Sequence, residues 1–465
     1  MDTRIDGSRP HHSAHSSDSI DLSAIERELD KMSLTHPHLR WHDGNAVALL
    51  ENGQELFPAL CEAFDVAQKS IHLETYIFRL DEAGLKILDH LIRAAERGVK
   101  VRVVLDGYGS AKDDRTIQSL LRAVGAQCRV YRPEPKYLSF QSFDFLRLRR
   151  MHRKTTLVDG HLAFIGGINI EDDYSGLPEE DLLASREPKE PRFDYAVRLT
   201  GPLAIELMRA QDLLWLQIGW PLSSETRYDD TSVKAPVTIK HWKRRHIRHL
   251  RLRLLRFKHA AYTRNHLPHA HYGTMRAALV LRDNLRYRRT IEAAYVAHIA
   301  AARHEVVIAN AYFLPGHELR HALIDAAARG VRVRLLLQGK IEYRMQYHAT
   351  RWIYQQFLKC GVGIYEYLPS YLHAKVAVID GVSVVGSSNL DPFSLLLARE
   401  TNIVVDDAAF TAALTHSLEK AFAQGSQIVE PSLYHDRSWF ARATDACAYV
   451  LLRIGVALSG KGAQY

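Results

Sequence analysis

The chain has 465 residues and a mass of 52.9 kDa, and its 61 Lys and Arg against 53 Asp and Glu give a formal net charge of +8. This length predicts two or three domains, and an apolar content of 47% excludes a wholly disordered, collagen-like or coiled-coil protein. The excess positive charge is local, because residues 240–258 alone carry nine Lys or Arg and no acid. The four Cys are far apart and form no CxxC pair, so a disulfide framework is not expected.

Both ends of the chain are distinct from its middle. Residues 1–40 lack the apolar core of a signal peptide. They are too polar to bury a hydrophobic core, so they predict a flexible arm. The C-terminal tail, residues 431–465, contains the apolar stretch ACAYVLLRIGVAL at residues 446–458. This stretch is shorter than a bilayer-spanning helix and carries Arg453 in its middle, so it favours a buried or interfacial helix. The pattern indicates a soluble or peripheral protein.

The chain repeats itself once. Residues 94–105 (AAERGVKVRVVL) match residues 326–337 (AAARGVRVRLLL), and each segment joins the end of a predicted helix to a predicted strand. Another apolar strand precedes each helix, at residues 71–78 and 306–313. The order strand, helix, strand predicts a βαβ unit with parallel strands in each copy. We therefore expect an α/β protein with two halves of one design, residues 41–215 and 276–430.

A second pair of segments follows in the same order. Residues 152–169 read HRKTTLVDGHLAFIGGIN, and residues 373–389 read HAKVAVIDGVSVVGSSN. Both contain His-x-Lys-x-x-x-x-Asp-Gly, an apolar stretch, and a turn of Gly and small residues that ends in Asn. In a strand, residues two apart share a face, so each His lies beside its Lys. The Asp-Gly pair predicts a hairpin turn that returns the chain toward that face.

These residue types suit chemistry on a phosphodiester. Imidazole is a nucleophile and a general acid or base near neutral pH, and a Lys with an Asn forms a clamp for phosphate. Two imidazoles that face one phosphorus divide the work, because one attacks phosphorus and the other protonates the leaving oxygen. Two Lys supply positive charge, so no metal or other cofactor is expected. One copy holds half of these parts, which gives a physical reason for the duplication.

The paired HxKx4D motifs resemble those of the phospholipase D superfamily. Four further segments are similar to those of bacterial cardiolipin synthases, particularly the shorter B type. They are NGQELFPAL (52–60), LETYIF (73–78), GYGS (107–110) and SSNLDPFSL (387–395). The resemblance covers residues 45–410. It implies two phospholipase D-like repeats, each a mixed sheet flanked by helices, with the active site at their interface.

The resemblance also implies roles for the motif residues. His152 and His373 are the expected catalytic imidazoles, with His152 favoured as the nucleophile. Phosphate binding is expected from four side chains: Lys154, Lys375, Asn169 and Asn389. Asp159 and Asp380 complete the catalytic motifs, where we expect them to hold the turns rather than to transfer protons. Ser387 could offer the phosphate a hydroxyl from one half only.

In the family, an acidic residue downstream of each Asn orients a catalytic His. Glu400 stands 11 residues after Asn389, and Asp194 stands 25 residues after Asn169, beyond an insertion. We expect both acids to serve this role. Tyr76, Tyr108 and Tyr312 either line a substrate channel or are packing aromatics.

A basic segment, residues 216–275, connects the two halves. Its basic and aromatic residues favour binding to an anionic membrane: Lys240, Trp242, Lys243, Arg244, Arg245, Arg248 and Arg251. A nucleic-acid patch and a solvated linker are the alternatives. Apolar residues alternate with the basic ones along this segment, which favours a membrane surface over nucleic acid. Nucleic acid is therefore not an expected partner.

The resemblance implies a phosphatidyltransferase on the cytoplasmic face of the cell membrane. It would join two phosphatidylglycerol molecules to form cardiolipin and glycerol through a phosphatidyl-histidine intermediate. A hydrolase or nuclease that uses water as the acceptor would contain the same motifs. A non-catalytic scaffold is a third reading, against which both complete motifs argue. The sequence leaves the oligomeric state open.

Overall fold

The computed structural model describes residues 39–134, 149–174, 190–218, 272–283 and 287–457. Most of the predicted N-terminal arm lies outside these residues, as do all of the proposed membrane-binding side chains between Lys240 and Arg251. Within the described residues, no helix is long and apolar enough to cross a membrane.

The first half of the chain alternates strands with helices. Its strands are β1 (Trp41–Glu51), β2 (Ser70–Thr75), β3 (Lys100–Asp106), β4 (Gln127–Tyr131), β5 (Thr155–Val158), β6 (Leu162–Gly166) and β7 (Tyr195–Thr200). Its helices are α1 (Asn52–Val66), α2 (Glu82–Glu96), α3 (Asp114–Ala123) and α4 (Leu203–Ile218).

The second half repeats this order and then extends it. Its strands are β8 (Met275–Arg282), β9 (Glu305–Asn310), β10 (Arg332–Gln338), β11 (Gly363–Tyr367), β12 (Lys375–Ile379), β13 (Val382–Gly386), β14 (Glu400–Asp406) and β15 (Ser426–Ile428). Its helices are α5 (Thr290–Ala301), α6 (His317–Ala328), α7 (Arg344–Lys359), α8 (Pro392–Leu396), α9 (Ala408–Gly425), α10 (Pro431–His435) and α11 (Trp439–Val456).

Both predicted βαβ units are confirmed. Strands β2 and β3 pair in parallel around α2, and β9 and β10 pair in parallel around α6. Each helix stops because a glycine follows it in the left-handed region, Gly98 and Gly330, both at φ 89°. The next N–H reaches back to close the last turn, from Val99 to Ala94 and from Val331 to the equivalent alanine. The carboxyl ends of these strands thereby take equivalent places in the two halves.

The 15 strands of the described residues form one continuous mixed sheet. Its order is β15-β11-β10-β9-β12-β13-β14-β8-β1-β7-β6-β5-β2-β3-β4. The two halves meet where β1 and β8 pair antiparallel, with Trp41 opposite Ala278 and His42 opposite Ala277. The α/β class with two repeats is confirmed. The sequence did not predict that the sheets of the two repeats join edge to edge.

The hydrophobic core has a part that both halves share. One buried cluster combines Leu157 and Val197 of the first half with Val376 and Ile403 of the second. Side chains of α4 and α9 complete this cluster, while one separate large cluster lies under the other helices of each half. The shared cluster fixes the two halves against each other, which positions residues from both at one site.

Candidate active site

The two HxK motifs enter equivalent strands at the centre of the molecule. Lys154 stands immediately before β5, and Lys375 is the first residue of β12. Both motif strands pair antiparallel with the strand that follows them, so the two predicted hairpins are confirmed. The motifs are close together, because parallel bridges link the residue before each histidine to the other half, Met151 to Arg399 and Leu372 to Phe193.

His152 pairs with a carboxylate from the other half. Its Nδ1 lies 3.0 Å and 3.2 Å from the two carboxylate oxygens of Glu400, and 3.1 Å from the carbonyl oxygen of Ser387. Since these oxygens can only accept, Nδ1 carries the proton and Nε2 is left with a lone pair. Burial lowers the pKa of His152, and the charge of Glu400 opposes this shift. At neutral pH His152 is thus a neutral imidazole with a defined tautomer.

His373 makes the reciprocal pair. Its Nδ1 lies 2.6 Å from Oδ2 of Asp194, a buried carboxylate of the first half. Burial holds the pKa of His373 well below its usual value, and the positive charge of Lys375 lowers it further. Burial also raises the pKa of Asp194 to about 6, against the effect of Lys375. Each half therefore supplies the carboxylate that orients the other half's imidazole.

Backbone hydrogen bonds hold these crossed pairs in place. The N–H of His152 donates to the carbonyl of Arg399 at 2.9 Å, and the N–H of His373 donates to the carbonyl of Phe193 at 2.8 Å. Each acceptor is the residue just before a pairing carboxylate, either Glu400 or Asp194. The main chain thus places each histidine beside its acid, independently of the contacts between their side chains.

The two acids occupy equivalent positions in the repeats. Asp194 lies two residues before Ala196, which is opposite Gly166, and Glu400 lies two residues before the residue opposite Gly386. The insertion before Asp194 therefore leaves the geometry unchanged. The sequence pointed to these two acids, but not to the crossing of the pairs between halves.

Both lysines are buried within the site. Nζ of Lys154 donates to the carbonyl of His152 at 2.9 Å and lies 5.1 Å from the ring centre of Tyr76. Nζ of Lys375 donates to the carbonyl of His373 and lies 3.4 Å from Oδ2 of Asp194. Burial lowers the pKa of Lys154 to about 7 and also lowers the pKa of Lys375. A bound anion would offset this burial cost, which suits a phosphate clamp.

The two asparagines differ in their surroundings. Oδ1 of Asn169 accepts from the N–H of Ile77 at 3.3 Å, and its amide group lies 3.4 Å from Glu171. Asn389 is buried, and its Oδ1 has no hydrogen-bond partner among the described residues. Unpaired buried polar atoms are uncommon, so Asn389 retains capacity to bind an added group.

Ser387 is directed to the acid rather than toward an open phosphate position. Its fully buried hydroxyl donates to Oε2 of Glu400 at 2.5 Å and accepts from the N–H of Thr401 at 3.0 Å. The equivalent residue of the first half is Gly167, where an added Cβ would lie 2.4 Å from Oδ1 of Asp194. The two His–carboxylate pairs are therefore not identical.

The motif aspartates lie at the far ends of the hairpins. Asp159 accepts from the backbone N–H groups of residues 68–70, and Asp380 accepts from those of residues 303–305. Both have positive φ, 51° and 49°. These contacts support the turn-holding role and involve neither histidine.

Two of the three tyrosines contact the histidines. The ring centre of Tyr76 lies 4.7 Å from that of His152, and the ring centre of Tyr312 lies 6.5 Å from that of His373. Tyr108 is exposed and lies over Arg150 instead.

A polar network beside Tyr312 was not predicted. The hydroxyl of Tyr312 donates to Glu342 at 2.5 Å, and the guanidinium of Arg192 lies 3.8 Å from Glu342 and 3.6 Å from Glu171. These residues come from both halves and share no repeated motif. No local signal in the sequence could have identified them.

Comparison with known sequences agrees with this geometry. The family described as "Cardiolipin synthase, PLD-like domain" matches residues 60–190 and 295–424. Each matched range contains one complete HxKx4D motif.

Curated relatives match along most of their length. Cardiolipin synthase B of Salmonella typhimurium strain LT2 is 35% identical over 421 residues, which is 90% of this chain and 91% of that protein. Cardiolipin synthase B of Escherichia coli K12 is 36% identical with the same coverage. A cardiolipin synthase of Geobacillus thermodenitrificans is 28% identical and covers 82% of this chain and 67% of that protein.

A solved structure has the same fold. The crystal structure of phosphatidylserine synthase from Haemophilus influenzae Rd KW20 covers 94% of this chain and 99% of its own, with a TM-score of 0.64. The two sequences are 14% identical, so this match concerns the architecture only.

Proposed function

The chain belongs to the cardiolipin synthase family of the phospholipase D superfamily and is a phosphatidyltransferase, and from this we propose that it joins two phosphatidylglycerol molecules into cardiolipin and releases glycerol. The observation that carries the proposal is the crossed pairing of His152 with Glu400 and of His373 with Asp194. Two oriented imidazoles at one site supply both a nucleophile and an acid/base catalyst.

In the first step, Nε2 of His152 attacks the phosphorus of one phosphatidylglycerol. The bond from phosphorus to the glycerol oxygen breaks, and His373 gives a proton to that oxygen. The bound phosphate anion favours the protonated form of His373, which burial disfavours in the empty site. Glycerol leaves, and a phosphatidyl group remains bound to His152. Glu400 stabilises the positive charge that develops on the His152 ring, because it accepts the Nδ1 proton.

In the second step, a second phosphatidylglycerol supplies a free hydroxyl. His373, now neutral, takes the proton of that hydroxyl as its oxygen attacks phosphorus. The bond from phosphorus to Nε2 of His152 breaks, and cardiolipin is formed. Lys154, Lys375, Asn169 and Asn389 hold the phosphate oxygens during both steps. The charge on these oxygens is balanced by the two lysines.

In this proposal, the enzyme is a peripheral protein at the cytoplasmic face of the membrane. Both substrates are then lipids of the same leaflet. The acceptor competes with water, so exclusion of water from the phosphatidyl-histidine separates transfer from hydrolysis.

The test is a product assay by mass spectrometry with phosphatidylglycerol vesicles. The wild type is expected to form cardiolipin and glycerol in equal amounts, whereas His152→Ala and His373→Ala are expected to form no cardiolipin and to release at most one glycerol per enzyme molecule. Phosphatidic acid as the sole product would show that water is the acceptor and overturn the transferase proposal. The His373→Ala variant should accumulate a phosphatidyl group on His152; a group trapped on His373 in His152→Ala would reverse the two roles.

A further inference from the structure

Helix α11 presents an apolar face to solvent. Trp439 is 78% exposed, Phe440 69%, Leu451 61% and Ile454 49%. Together with Ala443, Cys447 and Val450, they recur at intervals of one, three or four residues and fall within one arc of the helix. Contiguous exposed apolar surface of this kind marks an interaction site in a soluble protein.

The opposite face of α11 is fixed against the protein. Ala448, Leu452 and Val456 are buried there, and Asp445 is 1% exposed. The carboxylate of Asp445 lies 2.8 Å from Nδ1 of His348 on α7. The helix therefore cannot rotate to bury its apolar face without breaking this pair.

The charge of the exposed side is positive. Asp445 is the only acid in α11, and it is buried and paired to His348 and Arg437. Arg442 and Arg453 lie at one edge of the apolar face. An apolar face bordered by Arg and ended by Trp and Phe is the composition of helices that lie at an anionic lipid surface.

Aromatic contacts continue from this helix toward the site. Trp352 of α7 is exposed and lies 6.4 Å from Tyr449 of α11. Met345 is exposed two turns earlier on the same face of α7, beside the exposed Tyr343. The ring of Tyr343 lies 5.7 Å from that of Tyr312, the residue that contacts His373.

We propose that the outer face of α11, with Met345 and Trp352 of α7, is a docking surface for an anionic phospholipid bilayer. The proposal rests on the proposed function, since an enzyme that takes both substrates from a bilayer must rest on it. Apolar side chains enter the acyl boundary while Arg442 and Arg453 meet the headgroups. Tyr343 and Tyr312 then link this surface to His373.

The test is binding to sedimented vesicles of phosphatidylglycerol and phosphatidylethanolamine. The double variant Leu451→Ser with Ile454→Ser is expected to bind at least about tenfold more weakly, because two apolar side chains no longer leave water. The matched control is Leu85→Ser with Leu120→Ser, which alters comparably exposed residues of α2 and α3. The control should bind as the wild type does. Equal binding by the α11 variant and the wild type would overturn the proposal.

A second measurement reports position directly. Brominated acyl chains should quench Trp439, so the wild type should lose more fluorescence on vesicles than Trp439→Phe does. If both lose the same amount, Trp439 stays in water and the proposal fails. If the wild type is a dimer that the α11 variant dissociates while vesicle binding is unchanged, the face is a subunit contact and the proposal is wrong.

Activity separates this proposal from the proposed function. The α11 variant should lose activity on vesicles in step with binding, but retain it on short-chain phosphatidylglycerol dispersed as monomers. A wild type that makes no lipid product in either form contradicts the proposed function, whereas the vesicle-binding result still decides the docking surface.

Discussion

In the proposed mechanism, the acid beside each histidine decides which ring nitrogen meets phosphorus. Nδ1 of His152 faces Glu400 and Nδ1 of His373 faces Asp194, so in this mechanism each Nε2 is left for the substrate. Because the amide of Gln is neutral, the Glu400→Gln variant loses the charge that stabilises the His152 imidazolium. We expect kcat to fall by about 10²- to 10⁴-fold, as for a triad whose carboxylate becomes an amide.

The matched control for this substitution is Asp445→Asn. It alters another His–carboxylate pair, between Asp445 and His348, that lies outside the site. On monomeric short-chain substrate, this control should keep the wild-type kcat. Comparable losses in both variants would point to a folding defect and remove Glu400 from the mechanism.

Ser387 makes one His–carboxylate pair different from the other. Its hydroxyl donates to Glu400, whereas the equivalent Gly167 has no side chain to donate. Ser387→Ala is expected to lower kcat about tenfold, the equivalent of the roughly 1.4 kcal/mol of one hydrogen bond to a charged group. Ser383→Ala, which removes a buried hydroxyl bonded to Thr411, should leave kcat unchanged. A rise in KM without a change in kcat would instead assign Ser387 to substrate binding.

The pH dependence of kcat/KM follows from two buried groups. Asp194, with a pKa of about 6, orients His373 only when ionised, so activity should rise with pH through this value. Lys154, with a pKa of about 7, loses its positive charge as pH rises further, so activity should fall above it. Lys154→Arg keeps the charge and should move the basic limb above pH 9, at reduced activity. A flat wild-type profile between pH 7 and 9 would exclude Lys154 as the source of that limb.

At the scale of the element, each motif hairpin is anchored by its aspartate. Asp159 closes the turn after β5 through three backbone N–H groups and tolerates positive φ better than alanine does. We expect Asp159→Ala to lower the free energy of unfolding by about 2 kcal/mol in urea titrations. Asp159→Asn keeps one oxygen acceptor and should lose less. Full stability of Asp159→Ala together with loss of kcat would give this residue a chemical role.

The sequence predicted those elements whose signals are local. The helix ends at Gly98 and Gly330 and the hairpin turns at Asp159 and Asp380 each depend on a few adjacent residues, and all of them occur. The resemblance to the phospholipase D superfamily also pointed to the two acids that lie beside the histidines, Glu400 and Asp194. Their crossing did not, because it depends on how two distant strand ends meet.

Two other contacts between distant parts of the chain could not be predicted from local patterns for the same reason. Arg192 and Glu342 lie together only in the folded chain, and neither belongs to a repeated segment. The pairing of β1 with β8 likewise joins segments more than 200 residues apart. A periodicity argument reports which face of a strand is buried, but not which distant strand lies beside it.

At the scale of the whole molecule, the proposed membrane attachment combines two kinds of force, electrostatic attraction and apolar burial. Residues 240–258 carry nine Lys or Arg, each contributing about 1 kcal/mol near an anionic surface. Deletion of residues 240–258 should therefore weaken vesicle binding strongly at low salt and little at high salt. The α11 variant should show weaker vesicle binding at low salt and at high salt, because apolar burial is not screened by salt. A deletion variant with unchanged binding at low salt would show that the segment is a linker.

The crossed pairing has a consequence for how the two repeats relate. An arrangement in which each unit lends its acid to its neighbour's histidine has the two-fold symmetry of an isologous dimer, with β1 and β8 beside the axis. Two identical protomers would have to change both pairs at once. A single chain is released from that constraint, so Ser387 and Gly167 can differ and one imidazole can become the nucleophile while the other exchanges protons.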